Sequence, residues 1–292
     1  MKVAIYSRVM DSEQQSDVQI LFDELAQAGI NVVIYRPYFE NIRSLVNFPA
    51  AIEVFDSGAE LDSTYDFVIS LGGDGTLLDT VTLVTDKNIP VMGINFGRLG
   101  FLASIGKKEL TTAVDSLLQS TYVIDQRSLI HLDSNMPLFN GMPFGLNEFA
   151  IHKTDTSPMI KVHTYLNGEF LNTYWADGVI VSTPTGSTGY SLSCNGPIVF
   201  PDSGSFVITP VAPHNLNVRP IVVPDTNIIS FEVEARADQI ICALDSRKHI
   251  VDKTIQLAVR RESFDINLVR LNENNFLQTL REKLNWGLDT RN

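Results

Sequence analysis

Cysteine is scarce in this 292-residue chain: only Cys194 and Cys242 are present. Two thiols make no disulfide framework, and a reducing cytoplasm is the expected setting. No run of about 18 uncharged apolar residues occurs, so no membrane-spanning segment is expected. The apolar stretch in Met1-Lys2-Val3-Ala4-Ile5-Tyr6 is too short for a signal peptide. Basic residues are few, 22 Lys plus Arg against 34 Asp plus Glu, for a net charge of −12. That deficit argues against a nucleic-acid partner, which calls for a basic surface. Phosphorylated ligands stay open, because backbone N–H groups, helix N-termini and Mg²⁺ hold phosphates without one. His131, His152, His163, His214 and His249 are scattered, with no pair at metal-ligand spacing, so no fixed metal site is expected. A Gly-x-Ser-x-Gly elbow, a Cys-His nucleophile, internal repeats and low-complexity segments are also missing.

What is present is a globular composition, 44% hydrophobic and 19% charged. The length favours two domains. The first part alternates strands with helices. Val3 to Tyr6 reads as a buried strand. Val18, Leu21, Phe22, Leu25 and Ala28 then fall at helical spacing, with Gly29 as a stop. Val32 to Tyr35 is a second strand and Phe67 to Leu71 a third, followed by glycines and a helix from Leu77 to Val84. Pro90 to Ile94 opens a fourth strand. The acidic run from Glu53 to Asp66 reads as a solvated loop. This pattern predicts an α/β domain, a Rossmann-like parallel sheet covered by helices.

Beyond about Tyr122 the texture turns β-rich. Short runs appear at Leu129 to Leu132, Ile160 to Leu166, Glu169 to Tyr174, Val179 to Ser182, Ile228 to Val233, Ile240 to Leu244, His249 to Val251 and Phe264 to Leu268. Asn167-Gly168 is a two-residue hairpin signal, and Asp245 to Lys248 reads as another turn. The tail, Glu273 to Trp286, returns to helical spacing through Phe276, Leu280 and Leu284. The expectation is an α/β domain over residues 1–124, an all-β domain over 125–271, and a tail, 272–292, whose helix packs back on the first domain.

Two stretches carry chemistry. Gly72-Gly73-Asp74-Gly75-Thr76 follows a buried strand and opens a helix. Glycines there let a backbone approach phosphates, and a helix N-terminus favours negative charge. The loop is neither a Walker A sequence nor a Gly-x-Gly-x-x-Gly fingerprint. A carboxylate such as Asp74 beside phosphates is unfavourable unless it holds Mg²⁺ or accepts a hydroxyl proton. The alternative is a tight strand-to-helix turn with Asp as cap. A second glycine-rich stretch, Gly93 to Leu102, also follows a strand and fits the same crevice at the carboxyl ends of the strands. Within it Arg98 either meets a phosphate or is an ordinary surface arginine. In the β-rich half, Asp177-Gly178-Val179-Ile180-Val181-Ser182 runs into Thr183-Pro184-Thr185-Gly186-Ser187-Thr188-Gly189-Tyr190-Ser191-Leu192-Ser193. Hydroxyls crowd this run, and they either read an adenine edge and ribose oxygens or cap a turn. Tyr190 either stacks on a base or supports the loop.

The order and spacing of Gly72 to Thr76, Asn147-Glu148, Asp177 and Thr183 to Ser193 resemble the NAD kinase family of bacterial type. The glycine loop is shared with diacylglycerol, sphingosine and phosphofructo-kinases, whereas the Thr-Pro-Thr-Gly-Ser-Thr-Gly-Tyr-Ser run is far more specific. The likeness extends to Gly93 to Leu102 and Val211 to Pro220, nearly the whole chain. It implies Mg-ATP-dependent phosphorylation of the 2′-hydroxyl of the adenosine ribose of NAD. Asp74 would accept the hydroxyl proton. Gly75, within the phosphate loop of Gly72, Gly73, Gly75 and Thr76, would sit against the NAD phosphates. Asn147 would bind adenine and Glu148 ribose hydroxyls, with Thr185 and Thr188 bordering the adenine. Asp177, Gly189, Tyr190, Ser193 and Ala212 would line the nicotinamide end, with Ser191 and Leu192 among the NAD contacts. Mg²⁺ would come with ATP. NAD would lie in a crevice touched by both domains, and the family implies a homodimer or homotetramer assembled through the β-rich domain.

Some positions depart from the family pattern. Gly189 stands where Ala is usual, and Trp175-Ala176 where a basic or small polar residue and Gly are frequent. Asp245-Ser246-Arg247 replaces a frequent Asp-Gly-Gln, so no ligand role is carried to Arg247. Ser193-Cys194-Asn195-Gly196 varies a Gly-rich ending, and His214 reads as a structural hydrogen-bonding histidine. Two rivals remain at this stage. A lipid kinase of the diacylglycerol kinase type shares the glycine loop but not the hydroxyl run with Asp177. A non-catalytic dinucleotide sensor would gain nothing from Asp74.

Overall fold

The computed structural model describes residues 1–48, 51–155, 157–272 and 275–287. It divides into two compact units, one of Met1–Gln126 with Ile266–Asn292 and one of Arg127–Asp265.

In the first unit the apolar runs become strands β1 (Lys2–Tyr6), β2 (Asn31–Tyr35), β3 (Glu53–Phe55), β4 (Phe67–Leu71), β5 (Val91–Asn95) and β6 (Ile105–Gly106). Helices α1 (Gln15–Gln27), α2 (Arg36–Ile42), α3 (Asp74–Val84) and α4 (Leu110–Gln119) lie between them. The strands pair in parallel in the order β5, β4, β1, β2, β3, with β6 beside β5. β4 is buried at every residue, as a strand covered on both faces must be. Helix α1 buries Val18, Leu21, Phe22 and Leu25, the stripe the spacing predicts, and Gly29 follows it at a φ of +65°. The chain leaves β1 toward β2 and β3, then returns to place β4 on the other side of β1. That reversal is the point where open α/β sheets hold ligands, at the carboxyl ends of the strands.

The acidic run was expected to be a solvated loop, and the structure corrects this. Glu53–Phe55 pairs with β2, and Phe55, Leu61 and Tyr65 are buried. Its acids face water while its apolar residues reach the core. Helices α2 and α4 were not anticipated. Pro37 in the first turn of α2 fits its fixed φ, and α4 buries Leu110, Ala113, Val114 and Leu117.

The second unit is a pair of antiparallel sheets. Its strands are β7 (Tyr122–Ser134, which enters the unit at Arg127), β8 (Phe144–Gly145), β9 (Glu148–Lys153), β10 (Ile160–Leu166), β11 (Glu169–Ala176), β12 (Gly178–Ser182), β13 (Ser205–Val211), β14 (Ile221–Pro224), β15 (Ile229–Glu234), β16 (Gln239–Leu244) and β17 (Arg247–Asp252). The one-turn helix α5 (Tyr190–Ser193) follows β12. One sheet runs β14, β13, β12, β9, β16, β17, and the other carries β11, β10 and β15 in adjacent places. Asn167 and Gly168 both have positive φ, +51° and +84°, as a two-residue hairpin between β10 and β11 requires. Phe149 and Phe231, one from each sheet, meet at 6.1 Å in a core shared with Ile151, Val162, Val181, Ile208 and Val259. Strands β8, β9, β13 and β14 were not predicted.

Strand β18 (Leu257–Leu271) begins in the second unit. Its last residues belong to the first unit, where Leu268 and Val269 pair in parallel with Val91 and Met92. It is longer than the expected Phe264 to Leu268. Helix α6 (Phe276–Leu284) starts at Asn275, whose side chain accepts the N–H of Gln278. Leu280 is buried within the first unit. The predicted start at Glu273 and the end of the tail, 288–292, lie outside the described residues.

Candidate functional site

The glycine turn sits where β4 ends and α3 begins, next to the end of β1. Gly72 has a φ of +146°, and an added Cβ would lie 2.4 Å from Thr76 Oγ1, so only glycine fits. Gly73 caps α3, and its carbonyl accepts the N–H groups of Thr76 and Leu77. Asp74 is the first residue of the helix, where the leading N–H groups have no intrahelical partner and the dipole is positive.

The Asp74 side chain is held from outside the helix. Its Oδ2 accepts the backbone N–H of Phe101 at 2.9 Å. Its Oδ1 accepts those of Leu102 at 3.1 Å and Ala103 at 3.0 Å. An ionised carboxylate offers about four acceptor positions. Three are taken by these N–H groups, and the remaining one is on Oδ2. Asn95, at the end of β5, shapes the loop that follows it by accepting the N–H of Gly97 and donating to the carbonyl of Arg98. Arg98 itself is exposed.

A basic group here escaped the sequence reading. Arg8 follows β1, donates to Asp79 of α3, and reaches the carbonyl of Gly75 at 3.2 Å. Its place at the carboxyl end of the first parallel strand was the available signal. Tyr6 donates to the same Asp79 carboxylate, and burial together with that charge raises its phenol well above the usual range.

The second unit carries a cleft of about 520 Å³ on the outer face of its six-stranded sheet. Strand alternation explains it. Phe149 and Ile151 of β9 enter the core, so Glu148, Ala150 and His152 face outward. In β16, Ile240, Cys242 and Leu244 go inward, leaving Ile241 and Ala243 outward. Ala150 and Ala243 are too small to fill the space above them. Asp177, Tyr190, Val211, Asp245 and Lys248 close the cleft, with Lys153 and Asp155 at its edge. The volume falls within the roughly 300–1,000 Å³ typical of ligand pockets.

Of the expected NAD contacts, Glu148, Asp177 and Tyr190 line this cleft. Asp177 lies 3.4 Å from Lys153 Nζ, and the Tyr190 ring is 5.6 Å from that of His152. Burial and Lys248 push the His152 imidazole down, against the pull of Asp177. Asn147 is not among the lining residues; its N–H donates to Asp245, which is, and its carbonyl accepts the N–H of Thr183. Ala212 is exposed with a φ of +46°, and neither it nor Ser193, Thr185 or Thr188 is among the residues that line the cleft.

The hydroxyl-rich run is largely turned inward. Thr183 donates to the carbonyl of Leu146 at 2.6 Å, and Ser187 donates to that of Pro184 while accepting the N–H of Val199. Thr185 accepts from the buried Arg127, and Thr188 donates to the carbonyl of Thr185. Ser191, expected among the NAD contacts, is fully buried, and its hydroxyl pairs with Thr209 at 2.8 Å. Its side chain holds the turn, and Tyr190 and Leu192 on either side of it are more open.

Asp245 carries a role the sequence did not reveal. It opens the hairpin between β16 and β17 at a φ of +51°, and its carboxylate accepts the N–H groups of Leu146, Asn147 and Glu148. Arg247 donates to the carbonyls of Met142 and Phe144. His214 stacks on Trp175, ring centroids 4.3 Å apart, and its backbone N–H donates to the Trp175 carbonyl. Both cysteines are free thiols. Among the described residues no group of three or more His, Cys, Asp or Glu is placed to hold a metal ion, and no helix is long and apolar enough to cross a membrane.

The two units match separate family models. Residues 13–122 match the ATP-NAD kinase N-terminal domain and residues 146–271 the ATP-NAD kinase C-terminal domain. The NAD kinase of Cytophaga hutchinsonii is 48% identical over 293 residues, covering the whole of both chains. That of Bacteroides fragilis strain ATCC 25285 is 40% identical, again over the whole of both. Two crystal structures share the fold. Yeast NADH kinase complexed with NADH has a TM-score of 0.89 at 23% identity, covering 100% of this chain and 89% of that one. An NAD kinase from Archaeoglobus fulgidus in complex with ATP has a TM-score of 0.76 at 24% identity, covering 98% and 99%. On the family models and full-length relatives alike, the chain belongs to the ATP-NAD kinase family.

Proposed function

We propose that Asp74 is the general base of NAD phosphorylation in this chain, with the glycine turn serving the phosphates and the second-unit cleft receiving NAD. The chain is a phosphotransferase of the NAD kinase family, using ATP to phosphorylate NAD. The observation that carries the reading is the Asp74 carboxylate, fixed by three backbone N–H groups with one acceptor position left on Oδ2. A ribose 2′-hydroxyl is a weak nucleophile at neutral pH, and a carboxylate within hydrogen-bond reach takes its proton as attack proceeds. Gly72, Gly73, Gly75 and Thr76 line the helix start, and Arg8 adds positive charge beside Gly75. In the cleft we assign adenine to Asn147, ribose to Glu148, and the nicotinamide end to Asp177 and Tyr190. Thr185, Thr188, Gly189, Leu192, Ser193 and Ala212 complete the set, with Ser191 supporting the turn.

Mg²⁺ enters with ATP in this reading. One carboxylate with one free position is a poor cage but suits a cation held mainly by phosphate oxygens and water, where it neutralises charge. Two free cysteines fit the cytoplasm. Incubating the purified protein with Mg-ATP and NAD should yield NADP, and no NADP under any donor condition would refute the reading.

Asp177→Ala should raise the KM for NAD far more than that for ATP, because Asp177 lines the cleft assigned to NAD. Equal rises in both constants would make Asp177 structural.

The sheet ends support self-assembly. β11 ends one sheet, and β14 and β17 end the other. They expose Phe170, Val222 and Ile250 at 57%, 49% and 64%. Unpaired edges with apolar side chains favour a self-partner. We assign the second unit to NAD binding and assembly, as a homotetramer or homodimer. Light scattering at micromolar concentration should give a multiple of 32.4 kDa, and a single chain mass would count against it.

A further inference from the structure

Two carboxylates share the second-unit cleft in unequal surroundings. Asp245 accepts three backbone N–H groups, from Leu146 at 2.8 Å, Asn147 at 2.8 Å and Glu148 at 3.1 Å. Arg247 adds positive charge from the same turn. Glu148 has none of this. Its Oε2 is buried and has no hydrogen-bond partner. An added Cβ on Gly189 would lie 3.4 Å from it, so Gly189 sits directly against the unpartnered oxygen. When two acids share a poorly hydrated site, the proton goes to the one whose charge is less supported. Burial, and then the charge of Asp245, push the Glu148 carboxyl up to about 8. Burial raises Asp245 as well, but its three N–H bonds and Arg247 oppose the rise.

We propose that Glu148 is a specificity-determining hydrogen-bond donor, a neutral carboxylic acid whose O–H meets an acceptor oxygen of the NAD ribose, while Asp245 carries the charge of the pair. This rests on the reading that the cleft holds NAD. The other charged or titratable groups facing the cleft leave the assignment in place. Lys153 is next to Asp177, and Lys248 is felt by His152, which burial also disfavours as a cation. Asp155 adds further negative charge. Burial raises Tyr190 and Cys194, so neither adds a negative charge to the cleft. A neutral Glu148 removes one negative charge from a cleft that must accept an anionic dinucleotide. Its O–H also goes unpaired when the ligand lacks an acceptor there, which selects against such ligands.

Two measurements on the full-length protein test this. The first compares thermal midpoints of wild type and Glu148→Gln from pH 4 to 9. Glutamine keeps the shape and an N–H donor but does not titrate. A carboxyl that ionises at 4.5 when exposed but only near 8 when folded costs the wild type stability as pH rises through that interval. The midpoint of the variant should therefore gain on wild type between those values and hold steady above them. The second measures NAD binding by calorimetry. Wild-type affinity should fall about tenfold from pH 7 to pH 9 as the neutral fraction drops. Glu148→Gln should bind as wild type does at pH 7 and stay level to pH 9, and Glu148→Ala should bind weakly throughout. A midpoint difference that does not change with pH would show an ionised Glu148 and overturn the proposal, whatever NAD does. A pH-dependent midpoint with NAD binding untouched in both variants would overturn the assignment of NAD to this cleft, and the hydrogen bond with it.

Discussion

Asp74→Asn is expected to lower kcat by about 10²-fold or more while NAD affinity changes little. The substitution keeps size and planarity, and the structure shows what else it keeps. The amide oxygen can take the place of Oδ1 and retain the N–H bonds from Leu102 and Ala103. The amide nitrogen then faces the N–H of Phe101, donor against donor, so that one bond is lost. An orphaned donor costs about 1–3 kcal/mol if buried, and Phe101 is only half-buried, so the turn should survive. What disappears is the free acceptor position on Oδ2, replaced by an N–H that cannot take a proton. Removing a negative charge beside phosphates should leave NAD binding equal or tighter. The measurement is kcat beside a calorimetric NAD binding constant for both proteins. Near-normal kcat in the variant would mean that proton removal is not limiting or that another group performs it.

The parts of this site that were legible in the sequence are those fixed by local chemistry. Gly72 to Thr76 advertised a tight glycine turn at a helix start because a strand, glycines and a helix pattern follow one another. Asn167-Gly168 announced its hairpin because both residues tolerate positive φ. The hydroxyl run was conspicuous by composition, yet composition does not say where a side chain points. Thr183, Ser187 and Ser191 face inward and bond to Leu146, Pro184 and Thr209. The partners lie up to 37 residues away in the chain, and no local pattern gives that. Asp245 was visible only as a turn residue, and its three N–H donors come from residues about a hundred positions earlier. Strand β9 went unseen although Glu148-Phe149-Ala150-Ile151-His152 alternates, because its outward face is lined with small and polar residues rather than one kind. Helices α2 and α4 are short, and α2 opens with a proline that reads as a breaker unless its place in the first turn is recognised.

Gly100→Ala is expected to reduce kcat by an amount approaching that of Asp74→Asn, although residue 100 bears no functional group. An added Cβ would lie 1.7 Å from Asp74 Oδ1, 2.4 Å from Cγ and 2.8 Å from Oδ2. No side chain fits unless the carboxylate leaves. Asp74 is free to leave, because the obstructing atoms are the end of a flexible side chain and rotate away without moving the backbone. The fold should therefore persist, while the N–H groups of Phe101, Leu102 and Ala103 lose their acceptor and Asp74 loses its orientation. Leu102 and Ala103 are buried, so a modest fall in thermal midpoint accompanies the loss. The double variant separates this from a general disturbance. If Gly100 acts through Asp74, then adding Gly100→Ala to Asp74→Asn costs little more in kcat, because the base is already gone. Two independent losses that multiply would show that the glycine serves something other than the carboxylate. NAD binding should change little in either background, since the residues assigned to hold NAD lie mainly in the other unit. A loss of NAD affinity as large as the loss in kcat would sink the argument that Gly100 positions the base alone.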